Sequence, residues 1–355
     1  MLEARKLFTP GPVPVAEHIL AKGAEQPPYN RTPDFSRFTE EILQGLGYLF
    51  QTRSPVAILT GSGTAAMEAA VLNFLDESDN VLIVNGGTFG QRWCDLCDVH
   101  SVSYTKLKQD AGEDIDLDRL SGVLSGEKFT ALLINAHETS TGQLYDIRSI
   151  GRVAKEHNLF YIVDAISTIC ADPFLMDDWN VDVTILSSQK ALALPPGLSF
   201  VAISERAQSR LKEITPKSLY FNLQNYLDNQ QRGQLPYTPA IGLLVQLHQR
   251  LMDIRDLGLD AIILQHERRA CYFRQSIADM RFDTLPSRQS NAVTTVLCEQ
   301  DDAFDIVENL RRRYGIEVAP SGGAMKHKIF RISHMGAQND ADVDVLVRAL
   351  AALTL

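Results

Sequence analysis

The chain has 355 residues, of which 45% are hydrophobic, and a formal net charge of −10 at pH 7. That length suggests about two domains, the acidity argues against nucleic acid as a partner, and no apolar run is long enough to span a membrane. Five cysteines (Cys94, Cys97, Cys170, Cys271 and Cys298) are too few and too odd in number for a disulfide framework. With no signal-peptide core ahead of Pro10-Gly11-Pro12, a reducing cytoplasm is the expected location.

From residue 56 onward, apolar strand-like runs at 56–59, 81–84, 131–134, 160–163, 182–186 and 198–203 alternate with helical stretches such as Ala65 to Leu75 and Ile147 to Glu156. This alternation predicts an α/β fold with a mostly parallel sheet and helices on both faces. The first run leads into Gly61-Ser62-Gly63-Thr64, which opens a helix. Small residues there let a phosphate approach the backbone, and the helix start supplies free N–H groups. With Ala66 the motif also matches the dinucleotide pattern G-x-G-x-x-A, but the next strand ends in Asn85 where such folds place an acid. A tight turn without a ligand is the remaining reading of the motif by itself.

Cys94, Cys97 and His100 share one expected helix, and no second Cys/His pair follows at zinc spacing, so buried thiols are expected there and no metal. His137-Glu138 begins like a zinc-protease motif, but Thr141 stands where the second histidine belongs. Two runs end on residues with chemistry: Tyr161-Ile162-Val163 on Asp164, and Val183-Thr184-Ile185-Leu186 on Ser187-Ser188-Gln189-Lys190. Open α/β sheets bind ligands at the carboxyl ends of their strands. A lysine for a Schiff base and an acid for a pyridinium nitrogen are what pyridoxal phosphate asks of its protein. Ser187-x-x-Lys190 also fits a serine-acylase motif, which needs a Lys-Thr-Gly partner that this chain lacks.

After Ser204 the pattern changes. Residues 205–240 are polar with little periodicity, and Ile241 to Met280 reads as long helix with a break at Gly258. Leu244, Leu247, Leu251, Ile254 and Leu257 recur at helical spacing and predict one packed face. The rest reads as a smaller α/β unit: strand 291–298, helix 303–314, strand 328–333, helix 340–353. Phe330 and Ile332 share one strand face, so Arg331 points to the other. A guanidinium there either captures a carboxylate in bidentate fashion or pairs at the surface.

Together these residues resemble the class V, fold type I, pyridoxal phosphate-dependent aminotransferases, and within them the alanine–glyoxylate and serine–glyoxylate group. The resemblance runs from Thr9-Pro10-Gly11-Pro12 through Phe50-Gln51-Thr52-Arg53, Gly61-Ser62-Gly63-Thr64 and Phe89-Gly90-Gln91-Arg92. It continues through His137-Glu138-Thr139-Ser140-Thr141-Gly142, Val163-Asp164, Ser187-Ser188-Gln189-Lys190-Ala191-Leu192, Pro195-Pro196-Gly197 and Phe330-Arg331-Ile332. It implies a mostly parallel seven-stranded sheet with helices on both faces, plus a smaller C-terminal α/β domain. The expected division is an N-terminal segment 1–15, a large domain 16–245, and a small domain 246–355 that takes the N-terminal segment with it.

By the same resemblance Lys190 carries the cofactor and moves the proton, and Asp164 pairs with the pyridine nitrogen. Ser62, Gly63, Thr64 and Gln189 hold the phosphate with Ser187 nearby; Phe89 stacks on the ring, and Thr139 meets its hydroxyl. Thr238 is expected to reach the phosphate of a neighbouring subunit, which implies a homodimer. Gly11, Arg31 and Arg331 are expected around the substrate, with Arg331 on its carboxylate; Asn30 replaces the histidine usual in this group. The implied reaction is ping-pong transamination between a small amino acid of alanine or serine type and glyoxylate or pyruvate. A 2-aminoethylphosphonate–pyruvate transaminase is the alternative within the fold. An NAD-dependent dehydrogenase, resting on Gly61-Ser62-Gly63 alone, is the alternative outside it. Cysteine desulfurases place histidine where this chain has Gln189.

Overall fold

A computed structural model describes residues 5–215 and 217–354. Its central sheet has seven strands, in spatial order Val56–Thr60, Leu198–Ile203, Val183–Ser187, Phe160–Asp164, Ala131–Asn135, Asn80–Asn85 and Ser103–Lys108. Leu198–Ile203 runs antiparallel to both neighbours, and every other adjacent pair is parallel. Val183–Ser187, Phe160–Asp164 and Ala131–Asn135 are buried along their whole length, as strands covered on both faces must be. Ser103–Lys108 escaped the sequence pattern because it lies at the sheet edge, alternates polar side chains, and buries only Leu107.

Register sets the site. Asn135 lies opposite Asp164, and Asp164 opposite Ile185, so three strands end together. Gly63–Phe74 lies against this sheet, with Ala66, Ala69 and Ala70 fully buried. Small side chains on that face let the helix approach closely, which carries its N-terminus to the strand ends.

The polar segment 205–240, expected to be irregular, contains the helices Glu205–Arg210 and Leu223–Gln230. Ser204 and Asn222 cap them by accepting from the amides of Ala207 and Asn225. Each is too short to display a period. Ile241–Leu257 and Leu259–Ile277 follow, separated at Gly258. Leu244, Leu247, Leu251 and Ile254 are buried, but Leu257 is 55% exposed because the chain turns there, and the stripe ends at Ile254, three positions earlier than its spacing predicts.

The second sheet has five strands in the order Lys6–Phe8, Ile316–Pro320, Ile329–Ser333, Val293–Cys298, Phe282–Thr284. Ala303–Tyr314, Asp340–Thr354 and the end of Leu259–Ile277 cover it around Phe8, Phe273, Phe330 and Ile332. Lys6–Phe8 pairs in parallel with Ile316–Pro320, so the N-terminal segment belongs to this sheet. The helix Ile241–Leu257, which packs on Glu17–Gly23 and Pro33–Phe50, straddles the boundary expected at 245.

Candidate active site

A cavity of about 140 Å³ opens where the three strand ends meet the start of Gly63–Phe74. Asp164 lies buried on its wall, with Oδ1 accepting from the Ile166 amide at 2.8 Å and Oδ2 from Asn135 Nδ2 at 2.7 Å. Burial pushes its carboxyl up to about 6, against those hydrogen bonds and the nearby Lys190. Burial likewise draws the Lys190 amine down to about 8, with Arg331 adding to the shift and Asp164 opposing it. The two groups therefore titrate far closer together than a free aspartate and lysine do.

Ser62 caps the helix with extended backbone and no side-chain hydrogen bond. A Cβ on Gly63 would lie 2.5 Å from Ile166 Cδ1 and 3.3 Å from Ser187 Oγ, so a larger residue there must displace the Ile166 side chain of the cavity wall. Arg92 NH1 donates to Thr64 Oγ1 at 3.1 Å, and its guanidinium carbon lies 4.9 Å from the centroid of the Phe89 ring. The same ring has Lys190 Nζ 5.9 Å from its centroid. Glu138 fixes this corner by accepting from the amides of Phe89 and Gly90. Gly11 crosses the opening, where a Cβ would meet Lys190 Cδ at 3.1 Å.

On the far wall His137 Nδ1 lies 2.9 Å from Ser167 Oγ, which lies 2.8 Å from Thr139 Oγ1. Burial, reinforced by Lys190, draws His137 down to about 3, so its ring is neutral. The Thr139 carbonyl accepts from Arg331 NH1 at 3.0 Å, and the Pro320 carbonyl from NH2 at 2.8 Å. Arg331 Nε is buried without a partner.

Four further buried polar atoms of the cavity wall also lack partners: Asn135 Oδ1, His137 Nε2, Ser187 Oγ and Gln189 Oε1. Buried polar groups are paired in the great majority of cases. A wall with so many open valences, beside a helix start whose Ser62 side chain makes no capping bond, fits a polar, phosphate-bearing guest.

Ser62, Gly63, Thr64, Phe89, Thr139, Asp164, Ser187, Gln189, Lys190 and Gly11 all line this cavity. Arg331 stands at its edge, joined through Thr139. Arg31 does not line it: the side chain is exposed and donates to the Leu235 carbonyl at 2.9 Å and to Gln234 Oε1 at 3.0 Å. Thr238 is exposed and lies outside the cavity of its own chain.

Arg92, Asn135, His137, Ile166 and Ser167 line the cavity without having been singled out for it. Asn135 carried a signal, since it ends a strand as Asp164 does. His137 carried none beyond its failed metal motif. Cys94 and Cys97 are buried thiols, with burial pushing Cys97 up to about 12, and His100 lies 3.1 Å from Glu68. Among the described residues, no group of three or more His, Cys, Asp or Glu side chains is arranged to hold a metal.

An amine and a carboxyl brought toward each other in pKa, with room for a phosphate at a helix start and a second, five-stranded sheet in the same chain, define a pyridoxal phosphate enzyme of fold type I. The Aminotransferase class-V family model matches residues 25–346, and the chain belongs to that family. It is thus a pyridoxal phosphate-dependent aminotransferase. It is 33% identical over 362 residues to a protein of Synechococcus sp. named soluble hydrogenase, small subunit, covering 99% of this chain and 94% of that one. It is 30% identical over 352 residues to the L-aspartate–glyoxylate aminotransferase of Paracoccus denitrificans, covering 96% and 89%. The solved alanine–glyoxylate aminotransferase of Nostoc sp. superposes with a TM-score of 0.94 at 27% identity, over 99% of this chain and 96% of that chain.

Proposed function

We propose that this aminotransferase moves the amino group of a small amino acid, of alanine or serine type, to glyoxylate or a similarly small 2-oxo acid, and that it does so as a homodimer. The observation that carries this reading is Arg331, tethered beside Lys190 with its buried Nε open, at the edge of a cavity of only about 140 Å³. That offers one carboxylate seat beside the lysine that would carry the cofactor. Two of the relatives described above are named for glyoxylate, which supports the acceptor.

Pyridoxal phosphate, when bound, supplies the electron sink that makes an amino acid's α-proton removable. Lys190, with a pKa of about 8, is a neutral amine in a useful fraction of molecules near neutrality, and takes up and returns that proton. Asp164 is ionised above about 6 and, held on both oxygens, is oriented to keep a proton on the ring nitrogen. The Ser62–Thr64 turn, Ser187 and Gln189 would hold its phosphate, with Phe89 as an apolar wall of the same cavity. Thr139, fixed through Ser167 to neutral His137, would be available to its ring hydroxyl. Arg331 seats the substrate carboxylate, which sets the angle of the Cα–H bond. Thr238, exposed on its own protomer, is free to serve the phosphate of a neighbour.

A donor screen tests the substrate reading. Alanine, serine, aspartate and 2-aminoethylphosphonate are each paired with glyoxylate and with pyruvate. Alanine or serine with glyoxylate is expected to turn over fastest. Faster turnover of 2-aminoethylphosphonate with pyruvate overturns the reading, and a preference for aspartate replaces the donor.

A further inference from the structure

A second cavity, of about 170 Å³, lies where Ile241–Leu257 and Leu259–Ile277 meet the stretch around Ala16 and Ile19 and the loop Gly336-Ala337-Gln338. Ala193 forms part of its wall, and the Ala193 amide donates to the Lys190 carbonyl at 2.8 Å. The cavity therefore sits behind the lysine loop, apart from the site described above.

Two arginines line it. Arg250 donates through Nε to the Leu192 carbonyl at 3.1 Å, and Arg269 donates through NH1 to the carbonyls of His334 and Gly336. Burial draws both guanidinium groups below their ordinary pKa. Asp253 acts on Arg250 from a distance but is bonded to His18 at 2.8 Å, and Asp342, which acts on Arg269 together with Asp340, is bonded to Lys6. Among the described residues, no carboxylate forms an ion pair with either arginine.

Two residues lining the same cavity carry bare acceptors. His266 Nδ1 lies 2.8 Å from the Ile262 carbonyl, which only accepts, so Nδ1 carries the ring proton and Nε2 presents a lone pair. That Nε2 is buried with no partner in a side chain only 5% exposed. Gln338 is 7% exposed; its Nε2 donates to the Leu7 carbonyl at 3.1 Å, and its Oε1 has no partner. Water can donate to both acceptors, but it leaves two desolvated cations without a directly paired counter-charge, which is the costlier deficit.

We propose that this cavity is a second binding site, for a small oxyanion that brings its own hydrogen-bond donor: an α-hydroxy or α-amino carboxylate, or dihydrogen phosphate. The anion lies between the guanidinium groups of Arg250 and Arg269, and its O–H or N–H group donates to His266 Nε2 or Gln338 Oε1. Exposed Leu257 and Gln265 on the rim leave a way in.

Calorimetric titration of the cofactor-loaded enzyme with phosphate, glycolate and acetate tests this, since the cofactor already fills the catalytic phosphate seat. Phosphate or glycolate is expected to bind, the tighter of the two naming the source, with acetate weaker by about tenfold or more because it has no donor. Gln338→Glu places a carboxylate between the arginines and is expected to weaken binding by at least about tenfold, as is Arg269→Gln. Arg331→Lys, which weakens carboxylate binding at the catalytic seat, is expected to leave the affinity of this cavity for phosphate and for glycolate unchanged, so the glycolate and acetate comparison is made in that variant. A crystal of the loaded wild-type enzyme soaked in the tighter probe gives a readout independent of folding in the variants. Absence of binding, equal affinities in wild type and Gln338→Glu, or only water between Arg250 and Arg269 overturns the site; acetate binding as tightly as glycolate overturns the donor requirement.

Discussion

Asp164 is a burden on the cofactor-free protein. Its carboxyl titrates at about 6 in the fold against a reference of 3.8, so the folded state disfavours its charge. Below 3.8 the group is protonated whether folded or not, and nothing is lost. The penalty grows between 3.8 and 6, and above 6 it is complete, on the order of 3 kcal/mol. Asp164→Asn should therefore stabilise the cofactor-free protein at pH 8, with a gain that fades as the pH falls toward 4. Denaturant titrations at those two pH values measure it, and equal midpoints at pH 8 would contradict the burial argument. The same variant, loaded with cofactor, should lose roughly 10³ in turnover, because the lost charge is the one aimed at the ring nitrogen.

Arg331→Lys keeps the charge but not the fork. It should slow amino acid and 2-oxo acid half-reactions alike, and leave amines without a carboxylate nearly unaffected; equal half-reaction rates with alanine would move the carboxylate seat elsewhere. Lys190 and Asp164 were legible in the sequence because each closes a short apolar run, a local signal. Asn135, His137 and Ser167 were not, since what matters about them is hydrogen bonding across strands that no spacing along the chain records.

Among the elements, Gly63–Phe74 makes the sharpest prediction. A methyl group on its first residue would drive into Ile166 Cδ1 and crowd Ser187 Oγ, both on the cavity wall. Gly63→Ala should push the helix start away from the sheet edge and weaken cofactor binding by about tenfold or more, read by titrating cofactor-free protein with pyridoxal phosphate. An unchanged Kd would show that the turn has slack the structure does not reveal. This helix and the central strands were readable because full burial writes long apolar runs. In the two large sheets, four strands escaped notice: Lys6–Phe8, Ser103–Lys108, Phe282–Thr284 and Ile316–Pro320. Each lies at a sheet edge or beside one, where pairing and not composition makes the strand. The helices capped by Ser204 and Asn222 were hidden for a related reason, having fewer turns than a period needs to show itself.

At the scale of the molecule, the exposed Thr238 ties cofactor retention to self-association in the proposed dimer. Dilution until the protein sediments as a monomer should release the cofactor, and excess cofactor should in turn hold the dimer together. A monomer that keeps a full cofactor load and full activity would sever that link.

The pairing of Lys6–Phe8 with Ile316–Pro320 bears on how the protein is made. Arg5 and Glu317, bonded across this join, are 312 residues apart in the chain. Chains grow at about 5–20 residues per second, so the first strand leaves the ribosome at least ~15 s before its partner. Within that interval the large sheet is completed once Leu198–Ile203 is made, while the second sheet still lacks strands that are not yet synthesised. The edge at Ile316–Pro320 is therefore closed by the oldest part of the chain meeting one of the youngest. A nascent protein stalled before residue 316 carries an idle strand that any exposed edge nearby can capture.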